Sequence, residues 1–121
     1  MELQKMQALA SKKGLSVRSM NGTLKALAPL FKDTDCLLTT CDFNGEYCVL
    51  AVSKEKLCVA TMCVLKKPSI KTIKTSSISD FDKIKKFFSF SATLEIWQNH
   101  SKKTVLTRLS NNDLDAILNI I

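Results

Sequence analysis

Five cysteines are the side chains of this chain best suited to metal binding or disulfide formation: Cys36, Cys41, Cys48, Cys58 and Cys63. Their number is odd, and no two of them form the Cys-x-x-Cys pair that is typical of zinc sites. The two pairs that are five residues apart would point to opposite faces of a regular strand. The spacing therefore predicts no metal or other cofactor, and the apolar neighbours indicate buried free thiols in a reducing compartment.

Groups that could carry out acid–base or nucleophilic catalysis are few and scattered. His100 is the only histidine, and it lies in a predicted turn with no acidic residue at a suggestive spacing. The acidic residues fall on turns, a strand face and a helix cap, and the chain has neither a phosphate-binding loop nor a nucleophile elbow. The sequence therefore predicts no catalytic residue and a protein that is not an enzyme.

Lysines are concentrated between residues 66 and 86 of a chain whose net charge is +7. This basic segment holds seven lysines against two acidic residues: Lys66, Lys67, Lys71, Lys74, Lys83, Lys85 and Lys86. If the fold brings them together, they form an electropositive surface that can bind phosphates or an acidic protein. They are equally typical of a solvated sheet face, where lysine stems cover apolar surface.

Two helical patterns come first among the elements that would position these residues. Residues 3–12 repeat apolar side chains at helical spacing, which predicts an amphipathic helix. Residues 23–31 predict a second helix, with Asn21 or Thr23 as its cap. Pro29 removes a helical hydrogen bond, so we expect this helix to be short or bent.

Residues 36–109 then alternate with a period of two, which predicts a series of short strands. The strongest turn signal is Asn44-Gly45, because both residues tolerate the positive φ of a type I′ hairpin turn. A second turn at 54–55 leads into an apolar strand over 56–65. This strand is apolar on both faces, so we expect it to be central in the sheet.

The later part of this region is less regular. Residues 69–78 predict a strand with a solvated side, and residues 91–98 and 103–109 predict an antiparallel pair. The segment 80–88 fits either a helical stripe or a strand. We predict a turn there, followed by a strand that begins near Phe87.

A short amphipathic helix is predicted to end the chain, capped by Ser110 or Asn111. A helix of this length is marginal in isolation, so its apolar stripe must pack on the sheet. The stripe consists of Leu114, Ile117, Leu118 and Ile121.

This order of elements resembles the pleckstrin-homology-like barrel. Residues 47–60, an apolar strand, a serine, a charged turn and a second apolar strand, are similar to the bacterial branch of that superfamily, and residues 76–78 continue the similarity. The resemblance covers residues 35–121, and the helices before it resemble the YokE-like subgroup. It implies an α+β fold, a curved antiparallel β-barrel or sandwich that is closed by a C-terminal helix, with a helical lead-in at 1–34.

The resemblance also implies a non-enzymatic module that binds a protein or peptide through a sheet edge or the open end of the barrel. Trp97, expected opposite Leu94 and Ile96, would anchor such a partner or else belong to the core. One alternative is the binding of nucleic acid or acidic lipid by the basic segment. Another is a small phage or mobile-element protein that inhibits a host factor.

Two further expectations concern membranes and assembly. Basic residues flank the first hairpin loop in phosphoinositide-binding relatives, whereas residues 42–46 are acidic here, so the resemblance implies no head-group site at that loop. No signal peptide or membrane-spanning run is apparent, which predicts a soluble cytoplasmic protein. The N-terminal helices could cover an open end of the barrel or mediate self-association.

Overall fold

The computed structural model describes residues 1–32, 36–62, 67–85 and 91–121. In this part of the chain two helices, α1 (Leu3–Lys12) and α2 (Val17–Leu27), precede seven strands. The strands are β1 (Leu37–Phe43), β2 (Glu46–Val52), β3 (Lys56–Thr61), β4 (Ile70–Lys74), β5 (Ile78–Lys85), β6 (Ser91–Gln98) and β7 (Lys102–Ser110). Helix α3 (Asn111–Ile120) follows, and single 3-10 turns lie at Ala28–Leu30 and Thr75–Ser77.

Helix α1 confirms the first helical prediction, but α2 begins earlier than predicted. Its cap is Ser16, whose side chain accepts a backbone N–H from the first turn, so the prediction of Asn21 or Thr23 was wrong. Thr23 is instead buried, and its hydroxyl donates to the Thr61 carbonyl at 3.1 Å. The helix gives way to a 3-10 turn that contains Pro29, which confirms the expected shortening.

All neighbouring strands of the sheet are antiparallel, in the order β4-β3-β2-β1-β7-β6-β5. The Asn44-Gly45 hairpin is confirmed, with φ values of 51° and 77° at the two turn residues. Strand β3 lies between β2 and β4, so it is an interior strand, but it is one place from the β4 edge and not the central strand that was predicted. The predicted strand 56–65 is observed as far as Thr61, and residues 63–66 lie outside the described part.

Strand β5 corrects the prediction for residues 80–88. The predicted turn is wrong, because Asp82 pairs with Glu95 and Ile84 with Thr93 in a regular antiparallel ladder. Cross-strand pairing therefore overrides the helical spacing of the apolar residues. The 3-10 turn divides the predicted strand 69–78 between β4 and β5, and Phe87 lies outside the described residues.

The inner face of the sheet carries the main hydrophobic cluster. It combines residues of β2, β3 and β4 with residues of β6, β7 and α3, and its largest members are Leu50, Leu57, Ile73, Leu94, Ile96, Leu106, Leu109, Leu114 and Ile117. Strands β4 and β6 are five places apart in the strand order, so their side chains share a cluster only because the sheet curls around it. Helix α3 packs into this curved sheet, as the amphipathic pattern predicted.

The outer face of β1, β2 and β3 is covered by α1 and α2, which we call the helical layer. Met6, Leu24 and Leu27 of the layer belong to a second cluster with Leu38, Val49, Ala51, Cys58 and Ala60 of the three strands. The layer therefore covers a face of the sheet. The helices therefore do not lie over an open end of the barrel, and the self-association that was the other expectation stays a prediction.

A buried carboxylate joins the helical layer to α3. Asp113 is 6% exposed, and its side chain accepts hydrogen bonds from Lys13, which follows α1, and from the Thr39 hydroxyl at 2.6 Å. Burial acts to raise the pKa of Asp113, but the hydrogen bonds from Lys13 and Thr39 outweigh it and hold that pKa below its ordinary value. Ser110 caps the helix by accepting the Asp113 N–H at 3.0 Å, which confirms the predicted cap.

Candidate interaction surface

Strand β5 forms one edge of the sheet and is the longer of the two edge strands. It has eight residues, against five in β4, and each of them is at least partly exposed. Phe81 and Ile84 are 43% and 42% exposed, although both are large and apolar. A long edge strand with exposed apolar side chains is a surface on which another strand can pair.

The backbone of β5 offers hydrogen-bonding groups on the side away from β6. The Phe81 N–H is bonded at 2.9 Å to the carboxylate of its own neighbour, Asp80. Amide directions alternate along an antiparallel strand, so the N–H groups of Lys83 and Lys85 point the same way as that of Phe81. The outward side of β5 therefore presents a row of backbone groups that the ladder with β6 does not use.

A cavity of about 140 Å³ lies beside this edge and is lined by Thr75, Ile78, Phe81 and Ile121. Phe81 is in register with Ile96, so its side chain lies on the inner face of the sheet, and the nearby Ile78 packs against the main cluster. The cavity is thus bounded by β5 and by the end of the chain after α3. Its lining is mainly apolar and suits a small aliphatic side chain.

The structure distributes the lysines of the basic segment over both edges of the sheet. Lys67 is exposed just before β4, and Lys74 is exposed at the end of β4. Lys83 and Lys85 are exposed on β5, where the Lys85 ammonium is 2.9 Å from Oδ1 of Asp115 in α3. Lys66 and Lys86 lie outside the described residues.

Lys71 of β4 is partly buried and lies near the first hairpin. Its ammonium is 5.3 Å from the centre of the Phe43 ring, and it lines a cavity of about 160 Å³ with Asn44, Glu46 and other residues. Burial lowers the pKa of Lys71, and the nearby charge of Lys102 lowers it further. Lys71 thus places a positive charge beside this cavity, which the acidic Glu46 also lines.

Trp97 lies on the outer face of β6, opposite the buried Leu94 and Ile96, as predicted. The Lys103 ammonium is 5.2 Å from the centre of its ring, and 2.6 Å from a carboxylate oxygen of Glu95. The indole is therefore held on the surface beside an ion pair. Its role as a partner anchor stays a prediction.

The four described cysteines are buried, and the histidine lies in an exposed turn. Burial raises the pKa of Cys36 to about 11 and that of Cys41 to about 12, so both thiols are protonated at neutral pH. His100 is exposed in the turn between β6 and β7, with a φ of 61°. Among the described residues, no group of three or more histidine, cysteine, aspartate and glutamate side chains is placed to hold a metal ion.

Searches with the sequence alone give no match: no protein-family model fits the chain, and no curated protein is similar enough to be matched. Solved structures do match. A DUF1696-family protein with a pleckstrin-homology domain from Shewanella loihica PV-4 is 17% identical, with a TM-score of 0.53 over 84% of this chain and 92% of that one. A pleckstrin-homology domain from Shewanella amazonensis SB2B is 18% identical, with a TM-score of 0.49 over 84% and 96% of the two chains.

The first of these similarities, together with the strand order and the position of α3, shows that the chain has the pleckstrin-homology-like fold of bacterial proteins. The resemblance inferred from the sequence is therefore confirmed at the level of the fold. The YokE-like subgroup stays a prediction. No helix in the described ranges is long and apolar enough to cross a bilayer.

Sequence reasoning missed β5 as the most exposed edge because it assigned a turn to these residues. A signal was present in the charged side chains that occupy four of the six positions 80–85, namely Asp80, Asp82, Lys83 and Lys85. Charged side chains on a strand are the usual protection of an edge against unwanted pairing. This pattern could have identified an edge strand before the structure was known.

Proposed function

We propose that this protein is a non-enzymatic module that binds an extended segment of a partner protein along β5. The observation that carries the proposal is the exposed edge of β5, with its outward amides and its two exposed apolar side chains. Adding a strand to a sheet edge uses main-chain hydrogen bonds for affinity and needs no catalytic chemistry. The fold is similar to that of the DUF1696-family protein with a pleckstrin-homology domain, and it is compatible with such a module.

The cavity beside β5 would supply sequence preference to this interaction. In an added strand every second side chain points to the inner face, towards Phe81 and the cavity. One small aliphatic residue of the partner would fill the space between Ile78 and Ile121. The proposed ligand is therefore an extended peptide with an aliphatic residue among polar ones.

The proposal is tested by replacing Lys83 with proline. The Lys83 N–H points away from β6, so proline removes an outward donor without breaking the existing ladder. Peptides of about ten residues would be selected from a random display library on the wild-type protein, and their affinity measured by fluorescence anisotropy. We expect K83P to weaken binding about tenfold, which corresponds to about 1.4 kcal/mol.

The matched control is K83A, which removes the same charge and keeps the N–H. It should bind the selected peptides within about twofold of wild type, and both variants should unfold near the wild-type temperature. Equal binding by K83P and wild type would contradict the proposal. So would the selection of peptides that prefer a helix to an extended strand.

A second candidate function is the binding of an anionic ligand by the basic segment. The position of Lys71 favours it, because this lysine lines a cavity beside the first hairpin and its ammonium would pair with an anion bound there. The cavity next to Lys71 offers room for such a group. This candidate is tested with K71E, which reverses the charge beside the cavity and should weaken binding of the duplex and vesicle probes that the next section describes.

A further inference from the structure

Positive charge is densest in the helical layer and the residues that flank its helices. Residues 3–32 contain six basic side chains and no acidic one: Lys5, Lys12, Lys13, Arg18, Lys25 and Lys32. That leaves twelve of the eighteen basic residues for the rest of the chain, which holds all eleven acidic residues. The sheet and α3, residues 36–121, hold twelve basic and eight acidic residues, a balance of +4 over a much longer segment, so positive charge is densest in and around the layer.

The outward face of α2 carries Arg18 and Lys25 two turns apart. Asn21 and Gly22 lie between them, and all four residues are exposed at the spacing of one helical face. Neither Arg18 nor Lys25 forms an ion pair with any residue that the structure describes. Both charges are thus available to a ligand.

The outward face of α1 continues this surface. Its exposed residues are polar, small or basic: Gln4, Lys5, Ala8, Ser11 and Lys12. A hydrogen bond of 2.7 Å from the Gln7 amide to the Asn21 side chain joins the two helices at the surface. The apolar faces of both helices are buried against the sheet, so the layer is a fixed platform.

The chemistry of this surface selects among polyanionic partners. Insertion into a membrane interface would need an outward apolar helix face, and that face is buried here. Binding to single strands depends on exposed aromatic side chains, and neither helix contains one. Contact with phosphates needs only cations and small polar groups, which are the groups that the layer exposes.

We propose that the exposed face of the helical layer binds the phosphate backbone of double-stranded nucleic acid without reading the base sequence. Arg18 and Lys25 are about 10.5 Å apart along α2, close to the axial length of three base pairs. Gly22 and Ala8 have small or no side chains, so a duplex can approach the helices closely there. This surface lies on the outer face of β1–β3 and does not involve the β5 edge.

The test compares two triple charge reversals of equal size. The layer variant is K12E/R18E/K25E, and the lysine-segment variant is K67E/K74E/K83E, in which all three residues are also exposed. The probes are labelled duplexes of about 20 base pairs, one of DNA and one of RNA, and vesicles that contain phosphatidylserine. Binding is measured by anisotropy for the duplexes and by sedimentation for the vesicles, over a range of salt concentrations.

The layer variant should bind the duplex at least tenfold more weakly than wild type. The slope of its log association constant against log salt concentration should be smaller in magnitude than that of wild type by about 3. The lysine-segment variant should keep its affinity within about threefold, and unrelated duplex sequences should bind equally well. Comparison of the two duplexes then identifies the preferred nucleic acid. Circular dichroism is expected to show that both variants keep the wild-type fold.

Three results would overturn the proposal. The first is equal loss in both variants, which would mean that bulk charge alone attracts the duplex. The second is loss confined to the lysine-segment variant, which would support the second candidate function instead. The third is the absence of duplex binding by the wild type, with or without vesicle binding, and this result would leave the β5 proposal unaffected.

Discussion

Asp113 shows how one residue can connect parts of the chain that are far apart in sequence. Its carboxylate bonds to Lys13, one hundred positions earlier, and to Thr39 of β1. The sequence predicted that Ser110 would cap α3, because capping depends on residues next to each other. It could not predict the contact with Lys13, because that contact exists only once the helical layer has docked on the sheet.

Replacement of Asp113 by asparagine should destabilise the protein by about 2 kcal/mol at neutral pH, because the buried Thr39 hydroxyl and the partly exposed Lys13 ammonium lose a charged acceptor. The folded-state pKa of Asp113 is depressed, so its contribution is present above the unfolded-state pKa and is lost as pH falls through the folded-state pKa. Denaturant unfolding at pH 7 and pH 3 measures this, and the difference in the free energy of unfolding between wild type and D113N should be smaller at pH 3.

Asp115 provides the control for this measurement. It lies on the same helix and pairs with Lys85, but both side chains are largely exposed. The D115N variant should therefore change the stability by less than about 0.5 kcal/mol. A D113N effect no larger than that of D115N would show that the buried contact contributes little.

Helix α2 and strand β5 show where reasoning from local sequence fails for whole elements. Both errors concern segments in which two local signals compete. Asn21 and Thr23 resemble caps, yet Ser16 begins the helix because the apolar stripe that packs on the sheet extends back to Met20. In β5 the pairing with β6 decides the structure, and that partner lies beyond the local window.

The same substitution should have opposite effects in two elements. Gly22 lies on the exposed face of α2 with nothing within 4 Å of an added Cβ, so G22A should stabilise the protein by about 0.5–1 kcal/mol. Gly45 has a φ of 77° in the first hairpin, so G45A should destabilise it by about 1 kcal/mol. Thermal unfolding measures the stability of both variants. A change of the unfolding temperature in the same direction in G22A and G45A would contradict the backbone conformations described for these two glycines.

At the scale of the whole molecule, the sheet has a hydrophobic cluster on each side. Alternation and turn residues predicted most of the strands, and the amphipathic tail predicted that α3 packs on the sheet. The apolar stripes of α1 and α2 showed only that these helices must be buried somewhere. They are buried on the outer face of β1–β3. That face carries small and apolar residues such as Ala51, Cys58 and Ala60, and β3 is buried on both of its faces.

The division into a lead-in at 1–34 and a barrel domain at 35–121 stays a prediction about organisation. Because the outer cluster draws on both parts, we expect them to unfold in one cooperative transition. Trp97 fluorescence reports on β6, and far-ultraviolet circular dichroism reports mainly on the helices. The two denaturation curves should coincide, and an earlier loss of the helical signal would show that the layer unfolds independently.

The buried thiols can report separately on the opening of the two sides of the sheet. Cys41 and Cys48 face the interior, whereas Cys36 and Cys58 lie beneath α1 and α2. Alkylating reagents can reach each pair only when the structure above it opens. The alkylation rate of each cysteine pair therefore measures how often the structure opens locally on that side of the sheet.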